Sequence, residues 1–167
     1  MLINASTGRL ETHDVEEQNE TTRPWWDVHR RQISPGEFRV TTDYVQVNEI
    51  FFFRQHFTKR VLAKGVAAPK GYLMLGCSHT PETSINWCGA EINDQCFALG
   101  QNTAETEYVV PDNSHHWSIF IPENLVFRYF EQEAIESSPL RNNHFLVCEP
   151  GLGRDIAGLV PQPCHQP

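Results

Sequence analysis

From Phe38 to Val47 (FRVTTDYVQV) and from Ile50 to Phe57 (IFFFRQHF), β-branched and aromatic residues crowd into two runs of strand length, separated only by Asn48-Glu49. Asn tolerates the positive φ that a tight connection demands, so this pattern predicts an antiparallel hairpin. Tyr72 to Cys77 (YLMLGC) is a continuous apolar run, the signature of a strand buried on both faces. Ile85 to Ile92 (INWCGAEI) and Gln95 to Leu99 (QCFAL) flank Asn93-Asp94 and read as a second hairpin. Glu107 to Val110 follows, and Pro111-Asp112-Asn113-Ser114 turns the chain into His115 to Ile121 (HHWSIFI). Turn residues recurring at intervals of about eight to twelve predict a small barrel or sandwich.

The flanks read differently. Residues Met1 to Arg23 are polar and carry Glu11, Asp14, Glu16, Glu17 and Glu20 with little to bury, which predicts a mobile acidic arm. Order is expected from Pro24-Trp25-Trp26, two indoles that anchor the arm by packing rather than form a lid. Thr58 to Lys64 is basic and Gly65 to Gly71 has loop chemistry, so this stretch is expected to connect strands. Pro122 is placed to open a helix, with Glu123 in its first turn and Leu125, Val126, Tyr129 and Phe130 forming an apolar stripe. That helix is expected to end near Ser137-Ser138-Pro139. Phe145 to Cys148 then suits a short strand and Gly153 to Val160 a second helix, before a Pro-rich tail. The expected layout is therefore an arm over 1–23, a β-barrel over 24–121, a helical extension over 122–160 and a disordered tail over 161–167.

Composition adjusts this picture in three ways. A chain of 167 residues with 40% hydrophobic content is the size of one domain and can bury a substantial core. With 21 acidic residues against 13 basic ones and no Lys/Arg cluster, it is not expected to grip duplex nucleic acid, and the dispersed acidic excess reads as solubility. Five cysteines without a C-x-x-C pair predict neither a disulfide framework nor a zinc ribbon. No apolar run approaches the length of a membrane span and the N-terminus has no secretory pattern, so the expectation is a cytoplasmic chain without membrane contact.

Barrels with scattered histidines often hold a divalent metal, and such sites need imidazoles that converge on one point. None of the eight histidines here is one residue away from another in an H-x-H pair. His115 and His116 are adjacent, so on a strand they point to opposite faces and at most one enters the lumen. Nucleophile elbows and phosphate-binding glycine loops are absent from the sequence, and Cys77, Cys88 and Cys96 lie in apolar strand contexts that raise a thiol pKa. The expectation is no catalytic residue, no metal and no cofactor, with a barrel cavity for a small molecule as the remaining use of the architecture.

Several segments carry a resemblance. They are Gln32 to Phe38 (QISPGEF), the paired strands ending in Phe53-Arg54, Trp87-Cys88-Gly89, Val110-Pro111-Asp112-Asn113 and Phe120-Ile121-Pro122. In order and spacing, over about residues 26–130, they resemble the N-terminal regulatory domain of AraC/XylS-family bacterial transcription regulators. The resemblance implies a mainly β, cupin-like barrel (a double-stranded β-helix or jelly roll) with one or two C-terminal helices. It also implies a small-molecule effector, pairing into a homodimer through the helices, and contact with DNA only through a basic domain of two helix-turn-helix units that this chain does not include.

On that reading the expected ligand residues are Tyr72 and Met74, with Phe53, Trp87 and Trp117 as aromatic walls and Arg54 as a polar anchor for an acidic effector. Alternation leaves open whether Tyr72, Met74 and Gly76 or Leu73, Leu75 and Cys77 face inward. The expected dimer contacts are Leu152, Ile156, Leu159 and Val160. Two other classes remain: a stand-alone cupin enzyme with an unusual metal site, and an interaction module that pairs with a full-length homologue.

Overall fold

The structure, a computed structural model, describes residues 4–78, 80, 83–93, 96–102, 105–129 and 145–147. Its elements, in chain order, are β1 (Ala5–Thr12), α1 (Val15–Thr22), β2 (Asp27–Gln32), β3 (Val40–Val47), β4 (Ile50–Phe57), β5 (Val61–Val66) and β6 (Tyr72–Ser78). They continue as β7 (Ile85–Trp87), β8 (Ala90–Ile92), β9 (Cys96–Gln101), β10 (Glu105–Val110), β11 (Ser114–Pro122), α2 (Glu123–Tyr129) and β12 (Phe145–Val147). A seven-stranded sheet runs β1-β3-β4-β11-β6-β9-β12 and a five-stranded sheet runs β2-β5-β10-β7-β8. Every ladder is antiparallel. The chain passes repeatedly from one sheet to the other, between β1 and β2, β2 and β3, β4 and β5, β5 and β6, β6 and β7, β8 and β9, β9 and β10, and β10 and β11, which gives the cupin-like barrel that the strand pattern predicts.

Between the sheets lies the main core, including Trp26, Val40, Phe53, Phe57, Val61, Met74, Trp87, Val110 and Phe120. Alternation along β4 sends Phe53, Gln55 and Phe57 inward and Phe52, Arg54 and His56 outward. The outer face of the large sheet is apolar too, and carries a second cluster of Cys77, Phe97, Trp117 and Ile119 with Ile50, Phe52, Leu75 and Ile121 packed against it. This explains the unbroken apolar runs in β6 and β11, since both of their faces are covered.

Asn48 takes φ 53° at the β3–β4 turn, as the hairpin pattern requires. Four other expectations are corrected. The expected acidic arm holds regular structure over residues 5–22: β1 pairs with β3 along its whole length, and α1 is capped by the Asp14 carboxylate, which accepts from the Glu16 and Glu17 amides at 2.7 and 2.9 Å. Helix α1 then docks by hydrogen bonds rather than by an apolar stripe, with Gln18 and Thr22 as its buried residues. The stretch from Thr58 to Gly71 contains β5, a strand flanked by β2 and β10; Gly65 at φ +142° allows the close approach of β2, where a Cβ would stand 2.4 Å from the Asp27 carbonyl oxygen. The hairpin expected at Asn93-Asp94 instead turns at Cys88-Gly89, both at positive φ, between β7 and β8. Finally, Pro122 ends β11 opposite Tyr72, and α2 begins at Glu123, whose amide donates to the Gly71 carbonyl at 2.9 Å.

Leu125 and Val126 are half-buried on α2. Phe130, Ser137 to Pro139 and the segment from Gly153 to Val160 lie outside the described residues, as does the tail.

Candidate functional site in the barrel lumen

A cavity of about 30 Å³ lies between the two sheets. Its apolar wall includes Trp26 from the turn before β2, Met74 from β6, Trp87 from β7 and Tyr108 from β10; its polar wall includes Gln55, His116 and Ser118. A water needs about 10–15 Å³ by this measure, so the space takes about two water-sized atoms. Met74 keeps it small. A Cβ on Gly100 would stand 2.8 Å from Met74 Cε and one on Gly76 3.2 Å from its sulfur, so both glycines make room for this one flexible side chain.

The polar wall is a short relay. Gln55 Nε2 donates to Thr42 Oγ1 at 3.0 Å, which leaves Gln55 Oε1 as acceptor for His116 Nε2 at 3.2 Å. His116 is thereby fixed as the Nε2–H tautomer, with Nδ1 carrying a lone pair that has no partner. Its ring stacks on Phe57 at a centroid distance of 5.1 Å. Burial, followed by the nearby charges of Arg30, His115 and His56, lowers its pKa to about 3, so the ring is neutral across physiological pH. Trp87 Nε1 is a buried donor without a partner, although the ring itself stacks on Tyr108 at 4.9 Å.

The structure separates the residues singled out from the sequence. Met74 and Trp87 both border the cavity. Phe53 is fully buried in the same core but lies behind Trp26, meeting it edge-on at 4.7 Å. Tyr72 is half-buried at the margin of that core, against Phe51. Trp117 borders the cavity along its strand, but its ring meets Phe97 in the outer cluster. Arg54 is corrected: it follows Phe53 by one residue, so it faces out of the barrel, opposite Asp43 on β3 and Trp117 on β11. The inward set on β6 is therefore Met74 and Gly76. Leu152, Ile156, Leu159 and Val160 lie outside the described residues.

The sequence reading missed Trp26, Gln55 and His116 as lining residues. Strict alternation from Phe53 and Phe57 was the signal available for Gln55, and the adjacency of His115 and His116 had already limited the lumen to one of them. His115 instead stacks on His56 on the outer face, with ring centroids 4.2 Å apart. Among the described residues no three His, Cys, Asp or Glu side chains converge as a metal site.

Two of the turns that carry the family resemblance meet in space. The Ser34 hydroxyl donates to the Asp112 carboxylate, and the Arg60 amide donates to Asp112 Oδ1 at 2.9 Å. The Ser34 bond above all, with the Arg60 amide and the neighbouring cations, holds the Asp112 carboxyl below its ordinary range despite some desolvation. The Ser34-Pro35-Gly36 and Pro111-Asp112-Asn113 turns thus form one latch between β2 and β10.

Fold and cavity together define a cupin-like antiparallel barrel. A solved structure with this architecture is that of the AraC-like transcriptional activator CuxR, which is similar to the chain with a TM-score of 0.61 and 14% identity over 90% of this chain and 58% of that one. At that identity the likeness is one of fold, and the chain spans little more than half the length of its neighbour. No protein-family model matches the chain, and no curated protein matches it. Among the described residues no helix is long and apolar enough to cross a membrane.

Proposed function

We propose that this chain is the effector-sensing domain of an AraC-like transcription regulator and that it binds a small molecule in the barrel lumen without transforming it. The carrying observation is the cavity between the sheets, whose walls include buried polar atoms that lack partners, within a fold shared with a transcriptional activator. A buried polar group without a partner costs about 1–3 kcal/mol, and a ligand that supplies one recovers that cost on binding. Because ligand pockets usually span roughly 300–1,000 Å³, a complete effector displaces Met74, whose unbranched chain moves between rotamers more easily than a branched one.

The direct test is thermal unfolding of the purified chain against aldoses, phenols, amino acids and short carboxylic acids. One class is expected to raise the melting temperature in a saturable way, and the Trp26 or Trp87 fluorescence to change with it. A chain that none of these stabilises, or that turns one over chemically, contradicts the proposal.

In this reading DNA is contacted only by a separate reader domain, and the chain pairs with itself through the segment holding Leu152, Ile156, Leu159 and Val160. An apolar self-complementary patch gives a two-fold dimer. Sedimentation over a wide concentration range is expected to show a monomer–dimer equilibrium, and replacing Leu159 with Asp to shift it to monomer. A species that stays monomeric at the highest concentration removes pairing from the proposal.

A further inference from the structure

Neither sheet closes on itself, so among the described residues the barrel has edge strands β1 and β12 on the large sheet and β2 and β8 on the small one. An open edge presents a row of unpaired N–H and C=O groups, and folds guard such edges by keeping them short or covered. β8 and β12 are guarded by length, at three residues each. Along β2, helix α1 stands in for a neighbouring strand: the Arg30 amide donates to Asn19 Oδ1 at 2.9 Å and Asn19 Nδ2 donates to the Arg30 carbonyl at 3.1 Å. The Arg30 side chain beneath is buried and meets no carboxylate among the described residues.

β1 is the exception. It runs eight residues in unbroken register with β3, without proline or bulge. Just before it, and in the same register, the Asn48 amide donates to the Asn4 carbonyl at 2.7 Å. Backbone groups of an antiparallel strand alternate between its two sides, so the even-numbered residues of β1 bond β3. The N–H and C=O groups of Ala5, Thr7, Arg9 and Glu11 therefore point to the free edge. The side chains of these four residues are exposed, whereas Leu10 is half-buried and Thr12 buried.

Charge on this edge is self-complementary. A second copy related by a two-fold axis normal to the sheet pairs antiparallel, with residues of the same face opposite each other. Centred on Leu10, that pairing sets Arg9 of each copy opposite Glu11 of the other. Centred on Arg9 or Glu11 it sets like charges opposite, and centred on Gly8 it leaves both charges opposite the neutral Thr7 and Ala5. Opposite charges directly across a strand pair stabilise it and like charges destabilise it, which selects the Leu10 register. Both side chains keep the partners they have: Arg9 Nε lies 3.7 Å from Asp43 Oδ1, and Glu11 Oε1 lies 2.7 Å from Arg39 Nη2. The seam is then crossed by a row of alternating sign, running Asp43, Arg9, then Glu11 and Arg39 of the second copy.

We propose that β1 is a self-association edge, which pairs antiparallel with β1 of a second copy about Leu10 and joins the two large sheets. This contact is separate from the C-terminal segment and stands whether or not the lumen holds an effector. Its two Arg9–Glu11 pairs exchange two backbone bonds each and bury little apolar surface, so it is a weak contact that fills at the top of the concentration range.

The test exchanges the charges. Arg9→Glu puts two acids on the edge and Glu11→Arg two bases, so each variant repels itself, while an equimolar mixture restores opposite charges at every pair. Sedimentation at low salt is expected to show self-association weakened roughly tenfold in each variant alone and recovered in the mixture. Pairing through the segment holding Leu159 contributes equally to all samples, so the difference reads the edge alone. Amide exchange of the natural chain gives a readout free of any folding defect. The Arg9 and Glu11 amides are expected to gain protection as concentration rises, while the Ala5 amide stays fast. Variants that associate as the natural chain does, or a mixture that associates no more tightly than its components, overturn the pairing. Arg9 and Glu11 amides whose exchange ignores concentration overturn it as well. Neither failure touches the sensing reading, which the ligand panel decides separately.

Discussion

The stability of this chain is expected to fall steeply below about pH 6.5, and replacing His116 with Gln is expected to remove much of that fall. In the folded state burial, Arg30, His115 and His56 hold the His116 pKa at about 3, whereas in the unfolded chain it returns to its ordinary value near 6.5. Above about pH 6.5 the ring is neutral in both states and the contribution is fully present. As pH drops through the window down to about 3, only the unfolded state takes up the proton, so stability falls with pH. One proton over about three and a half pH units amounts to roughly 5 kcal/mol, a large part of the roughly 5–15 kcal/mol that holds an ordinary domain together. Glutamine at position 116 can still donate to Gln55 Oε1 but does not titrate. Urea unfolding of both chains across pH 4–8 measures the difference directly: the variant is expected to be the less stable at pH 8 and to lose far less on acidification. Parallel curves would show that His116 titrates normally or is already charged in the folded state.

Much of the barrel was legible in the sequence because its longest strands advertise themselves. β3, β4, β6 and β11 are rich in β-branched and aromatic residues, and Asn48 marks the first turn. β2 and β5 were hidden for a physical reason. On a strand with one solvated face the outer residues are free to be charged, so Asp27, His29, Arg31 and Lys64 diluted the inward Val28, Val61 and Ala63 until β5 read as a connection and β2 gave no strand signal. β1 and α1 were hidden because hydrogen bonds dock them: Thr12 Oγ1 donates to Gln18 Oε1 at 2.6 Å, and Thr22 accepts from Arg30. The Asp14 to Glu17 spacing was a readable helix start, but polar composition outweighed it. Arg30 carried no signal at all, since an arginine in a polar stretch reads as solvated unless the strand and its register are known. Arg54, the cation that the sequence did suggest, lies one residue out of phase with the lumen.

The adjacent indoles Trp25 and Trp26 are equivalent in the sequence, and the structure makes them unequal. Trp26 is 3% exposed, meets Phe53 and Phe120 edge-on at 4.7 and 5.0 Å, lies beside the Arg30 guanidinium and walls the cavity. Trp25 is half-buried and reaches the core through tilted contacts with Tyr44 at 6.1 Å and Phe53 at 5.1 Å. Truncating a fully buried Trp to Ala costs about 3–5 kcal/mol, and the edge-on pairs add to that because ring contacts contribute beyond area. Trp26→Ala also takes away the ring beside an unpaired cation, so its loss belongs at the upper end of that range. Trp25→Ala keeps Trp26, Phe53 and Phe120 in contact and removes partly solvated surface, for an expected loss of about 1–2 kcal/mol. In a domain of this size the first change lowers the melting temperature by roughly 6–20 °C and the second by a few degrees. Urea midpoints for the two variants side by side check the ordering; equal losses would mean that the two rings share the core evenly.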